Sequence, residues 1–167
     1  PFPFFSYLCA TILQSRIMAT ANAPSILPRV RRWIFWIFLL TTAGLGAELF
    51  LLEHTEGFWQ LFPFILMTTS TIALLAHAWM RNRTTMYLLR GMAVALVIGG
   101  TWGLWMHYHG NAEFELEMYP KRGGFELFWE ALKGATPVLA PGAVIGLGLL
   151  AWAYTLFPNV SPTDTNP

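Results

Sequence analysis

The chain has 167 residues, of which 55% are hydrophobic, 16% aromatic and only 11% charged, with a mean hydropathy of +0.49. Soluble domains carry about 25% charged residues, so a chain this apolar cannot cover its hydrophobic surface in water, and lipid is its natural solvent. The formal charge is +1 with no basic patch interleaved with aromatics, which excludes nucleic-acid binding, and the single cysteine, Cys9, excludes an internal disulfide or a multi-cysteine zinc site.

Residues 1–28 come first. Phe2 to Leu13 is apolar but, at roughly a dozen residues, too short to cross a hydrocarbon core of about 30 Å. It reads as an N-terminal interfacial segment, or as a misassigned start ahead of Met18. Ala21-Asn22-Ala23 has the form of a signal-peptide cleavage site, but Pro24 directly after it argues against cleavage. Arg29, Arg31 and Arg32 then precede the first predicted span, 33–52, whose one charge is Glu48. A polar turn, Glu53-His54-Thr55-Glu56-Gly57, leads to the second span, 59–79, with Pro63 in its first turn, where a missing N–H costs little. Asn82-Arg83-Thr84 matches a glycosylation pattern but lies too close to the membrane to serve as one.

The third span is predicted over 87–106 and the fourth over 137–157. Between them lies the longest polar insert, 107–136. The tail, 158–167, is polar and proline-containing and reads as disordered. Arg29, Arg31, Arg32, Arg81, Arg83 and Arg90 fall on one side of this arrangement, and Lys121, Arg122 and Lys133 on the other. The arginine-rich side is therefore expected to be cytoplasmic, with both termini inside and the insert outside. The predicted fold is an all-α integral membrane protein, four helices in a small bundle spanning residues 29–157.

The insert divides in two. Ala112 to Met118 alternates apolar Phe114, Leu116 and Met118 with acidic Glu113, Glu115 and Glu117, the period of a strand with one covered face. A lone strand leaves its backbone unpaired, so this segment predicts a partner. Phe125, Phe128, Trp129 and Leu132 instead follow helical spacing, with Glu126, Glu130 and Lys133 opposite, predicting a short amphipathic helix in the outer interface. Lipid offers no hydrophobic drive for helix association, so small residues should mark the contacts. Gly99 and Gly103 form one GxxxG and Gly142 and Gly146 another, which predicts a tight pairing of the third and fourth spans.

Few residues suggest chemistry. Glu48 is a carboxylate inside a span, costly there and a functional candidate for that reason, with Thr68 to Thr71 of the second span as expected hydroxyl partners. A haem would need axial ligands facing each other across the bundle, and His54 and His107 are the one pair that closes two spans on the same side. His77 lies alone at the cytoplasmic end and could serve only as a single ligand, as to a chlorophyll-type magnesium. His107 and His109 with Glu53 could hold a transition metal only if the third span has already ended, because residues two apart on a helix diverge. No phosphate loop, nucleophile triad or zinc-protease motif is present.

Glu48 to Phe64 (ELFLLEHTEGFWQLFPF) and Met106 to Leu150 (MHYHGNAEFELEMYP, then GGFELFWEALKGATPVLAPGA) resemble a group of uncharacterised small four-span bacterial inner-membrane proteins. The resemblance covers roughly residues 30–157 and implies a bacterial inner membrane, with no activity to carry over. The leading expectation is a non-catalytic accessory subunit of a larger membrane assembly, respiratory or photosynthetic, docking through its spans and its insert. The alternatives are a small oxidoreductase or cofactor-binding protein using the outer histidines, with haem, chlorophyll or a metal, and a proton-coupled transport component using Glu48.

Overall fold

The computed structural model describes residues 3–157, with side chains placed from Ile26 onward. The predicted disordered tail and the side chains of the N-terminal segment lie outside the described residues. Five helices follow in order: α1 (Pro3–Leu51), α2 (Phe58–Met80), α3 (Arg83–Met118), α4 (Gly124–Leu132) and α5 (Gly142–Leu156). No strand occurs among the described residues. Ile26–Leu51 of α1, all of α2 and α3 are long and apolar enough to cross a membrane, and α5 is a shorter apolar helix.

Their surfaces suit lipid. Trp79 is 90% exposed, Leu51 80% and Leu40 70%, and such exposed large apolar side chains recur along α1, α2 and α3, as suits an apolar solvent. Trp33, Trp36 and Trp79 ring one end of the bundle and Trp59, Trp102 and Trp105 the other, all exposed, which is the arrangement of aromatic side chains at two membrane interfaces.

α3 is the central helix, packed on α5, α2 and α4, while α1 rests mainly on α5. The core is formed by Phe38, Met67, Leu74, Leu89, Leu96, Leu147 and their neighbours. The expected close pairing is present between α3 and α5, but its glycines differ from the expected set. Gly100 approaches the Ile145 backbone and Gly148 the carbonyl of Ala93, while Gly103 meets the ring of Pro141. Gly99 faces Leu66 and Phe62 of α2, and a Cβ added at Gly142 or Gly146 would meet nothing within 4 Å. Motif spacing alone cannot tell which side of a helix a glycine faces.

The largest departure is in the insert. α3 has 36 residues and runs to Met118 without a break. At 1.5 Å per residue it is about 54 Å long, far more than the ~30 Å of a hydrocarbon core, so it is too long to lie upright wholly within an apolar layer. Ala112 to Met118, expected as a strand, is helical. A helix already nucleated gains one hydrogen bond for each residue it adds, whereas a strand here has no partner. Glu, Leu and Met are also strong helix formers. The amphipathic helix expected over 125–132 is observed as α4, which folds back on α3.

α5 begins at Gly142, five residues later than expected, because Pro137 to Pro141 forms a turn held by the Ala140 amide on the Pro137 carbonyl (3.2 Å) and the Gly142 amide on the Leu139 carbonyl (2.9 Å). The apparent glycosylation site is a helix cap: Asn82 Oδ1 accepts from the Thr85 amide at 2.9 Å and starts α3.

α1 ends unusually. The Leu49 carbonyl accepts from the His54 amide and the Phe50 carbonyl from the Glu53 amide, both at 3.0 Å, which is the Schellman closure. Its left-handed position is normally glycine, but here it is Glu53, at φ +52°. A side chain in that conformation costs about 1–2 kcal/mol. Glu53→Gly is expected to raise stability by about 0.5–1 kcal/mol, read as a higher melting temperature in detergent. A lower one would mean that the Glu53 side chain contributes more than its strained backbone costs.

Candidate functional site

The strained cap sets the direction of His54, the next residue. Its ring lies 6.4 Å, centre to centre, from that of His107 on α3, with 52° between their planes. The two histidines, one in the turn after α1 and one within α3, are thus brought together. They share a cavity of about 420 Å³ with Glu48, Leu45 and Leu49 of α1, Gln60, Phe62 and Pro63 of α2, Trp102 and Gly103 of α3, and Pro141 and Val144 near the start of α5. Trp59 and Trp102 stand 6.4 Å apart along one wall. The cavity is largely apolar, with a few polar groups converging at one end, as ligand sites are built.

His107 Nδ1 lies 3.1 Å from the carbonyl oxygen of Pro137. A carbonyl only accepts, so Nδ1 carries a proton and donates it, and in the neutral ring Nε2 is then the nitrogen with the lone pair. The turn before α5 therefore orients the ring. A metal-binding histidine needs this same device, its second nitrogen tied to a carbonyl or carboxylate. The His54 pKa is pushed down, first by burial and then by the nearby His107, so His54 is neutral at pH 7.

Glu48 lines the cavity on the α1 side, and among the described residues nothing hydrogen-bonds its carboxylate. Its expected partners are turned elsewhere. Thr69 Oγ1 donates to the Ile65 carbonyl (2.7 Å), Thr71 Oγ1 to the Met67 carbonyl (2.8 Å), and Ser70 is wholly buried. Hydroxyls on a helix readily bond back to their own turn.

The expected metal set is not formed. α3 continues through His107 and His109, so the two rings diverge. His109 Nδ1 lies 3.4 Å from Glu113 and its ring 5.7 Å from Trp105, both on exposed helix. Among the described residues no three His, Cys, Asp or Glu side chains converge as metal ligands. His77 is buried at the opposite end, with Nδ1 3.0 Å from Thr85 Oγ1 and its ring edge-on to Tyr154 at 6.1 Å. It ties the turn between α2 and α3 to α5.

In the insert, Phe125 is 76% exposed, with its ring against Trp129 and Phe128, and Tyr108 packs on Phe128. Phe114, Leu116 and Met118 lie exposed on the last turns of α3. Arg122 bridges Glu115 and Glu126 and covers the Tyr119 ring at 4.1 Å.

Two contributors escape sequence reasoning. Gln60 lines the cavity while its Oε1 accepts from the Glu56 amide at 2.6 Å. Asn111 is buried and holds the turn before α5: its Nδ2 donates to the carbonyls of Ala131 (3.0 Å) and Thr136 (2.7 Å), and its Oδ1 accepts from the Thr136 amide (3.1 Å). The Pro137 carbonyl that orients His107 is the next along the chain. An asparagine inside a helix, where its propensity is poor, is the one signal that could have marked it.

Comparison of the chain with family models, with curated proteins and with solved structures found no match.

Proposed function

We propose that this chain is a small integral membrane protein that binds a flat, metal-centred macrocycle of the haem class between His54 and His107. The observation that carries this is the spacing of the two rings. His54 and His107 stand 6.4 Å apart, ring centre to ring centre, on one largely apolar cavity, and a pair of imidazoles is a ligand set that would hold the metal of such a group. His54 is held neutral and His107 is oriented through its Nδ1, and the cavity volume of about 420 Å³ falls within the ~300–1,000 Å³ usual for small-molecule sites. When bound, such a group supplies one-electron chemistry, and Glu48 on the same cavity is placed to take up the accompanying proton.

The topology proposed with it has four spans, α5 with its preceding turn being the fourth, in a bacterial inner membrane. The arginine-bearing end faces the cytoplasm with both termini, and the cavity and insert face outward. A second reading, an accessory subunit of a respiratory or photosynthetic assembly, is favoured by α1: only 6% of its span is buried, little for a helix with no other neighbour. The stronger sequence argument for a partner, the unpaired strand, no longer supports it, since that backbone is satisfied within α3.

The test is reconstitution with haem, followed by visible absorption. The wild-type chain is expected to give the spectrum of a six-coordinate bis-histidine haem, and His54→Ala or His107→Ala to weaken binding by about 10–100-fold. Because His54 is held neutral, protonating it opposes binding, so affinity is expected to be full above pH 6.5 and to fall as the medium is made more acidic. A wild-type protein that takes up no haem, or a double histidine variant that takes it up equally well, would sink this reading.

A further inference from the structure

At the end of the bundle opposite the cavity, two arginines from different helices each lie against the last turns of α5. The Arg31 guanidinium of α1 covers the Tyr154 ring at 4.4 Å, and the Arg90 guanidinium of α3 lies 5.4 Å from the Trp152 ring, with Arg90 Nε donating to Thr155 Oγ1 at 3.0 Å. Arg31 Nε is buried and has no hydrogen-bond partner among the described residues. Such a donor is costly to leave unpaired, more so when charged.

No carboxylate answers these charges among the described residues. Among the described residues every ion pair lies at the other end, on Glu113, Glu115, Glu126 and Glu130. Glu48 and Glu117 on α1 and α3, and Glu53 and Glu56 in the turn after α1, are also at that end. Two guanidiniums that keep donors free beside aromatic faces, at the depth of a membrane surface, match the phosphodiester group, which arginine binds in a bidentate fork. The lipid itself supplies this group.

We infer that Arg31 and Arg90, with Tyr154, Trp152 and Thr155, form a binding site for the phosphate of an anionic phospholipid of the phosphatidylglycerol class, its acyl chains lying along the exposed faces of α1 and α5. Basic pockets between helices on the cytoplasmic side are where such headgroups are held. The site is independent of the histidine cavity.

The test uses the full chain in detergent, exposed to mixed micelles of phosphatidylglycerol or of phosphatidylcholine, with retained lipid counted by native mass spectrometry. One phosphatidylglycerol is expected to be retained under conditions that strip phosphatidylcholine. Arg31→Gln with Arg90→Gln should weaken retention by roughly tenfold or more, while Arg29→Gln with Arg32→Gln, an equal loss of charge at exposed positions, should change it less than about twofold. Arg31→Lys with Arg90→Lys preserves charge and stem packing but not the fork, and should also weaken retention. Equal retention of phosphatidylcholine, equal losses in the two glutamine pairs, wild-type retention by the lysine pair, or displacement of the lipid by inorganic phosphate would each overturn the site.

Discussion

Asn111→Ala is expected to lower stability by about 2–3 kcal/mol, measured by thermal or denaturant unfolding in detergent. The amide makes three hydrogen bonds, to both carbonyls and the amide that close the 131–136 turn, and the side chain is buried. Each bond contributes roughly 1 kcal/mol net, and the Ala131 carbonyl, on a residue with no exposed surface, keeps only backbone partners such as the Gly134 amide at 3.3 Å. Asn111→Asp should be as damaging at neutral pH or more so. It retains the acceptor for Thr136 but replaces two donated hydrogen bonds with a charge facing two carbonyl oxygens. Because Thr136 precedes the Pro137 carbonyl that orients His107, both variants should also weaken haem uptake. An Asn111→Ala chain with unchanged stability would mean that the turn is held by its own backbone.

The second large effect is at the α3–α5 contact. A Cβ at Gly148 would lie 2.7 Å from the Ala93 carbonyl and 3.1 Å from the Val97 amide, and one at Gly100 would lie 2.9 Å from the Ile145 amide. Backbone on the facing helix cannot turn aside as a rotamer can, so the helices must separate. Gly100→Ala and Gly148→Ala are each expected to cost about 1–3 kcal/mol. Gly142→Ala and Gly146→Ala meet open space and should be neutral or stabilising by up to ~1 kcal/mol through helix propensity. Gly99→Ala should fall between, because its closest neighbour is the end of the Leu66 side chain. The GxxxG spacing alone predicts a large loss at 142 and 146, so unfolding of these five variants decides between motif and packing.

The histidines make the same point. Each is visible in the chain, and the requirement that a pair close two spans on one side selects His54 and His107. Their 6.4 Å approach depends on how α1 ends, with Glu53 in a left-handed conformation that no local rule favours for glutamate. The orienting contact on His107 comes from Pro137, thirty residues along the chain and placed by Asn111 through Thr136. Such a contact leaves no trace in local spacing.

What the amino-acid sequence determined by itself was whatever depends on one segment and its solvent: long apolar helices, aromatic residues at both ends, and an amphipathic α4. These follow from hydropathy and periodicity, which act over a few turns of chain. The tertiary structure decided which glycines meet backbone, whether α3 ends at the membrane surface or runs on through 107–118, and which of four histidines share a cavity. Each is a choice among alternatives that local propensity leaves nearly equal in free energy, and contacts between residues distant in the chain are what separate them.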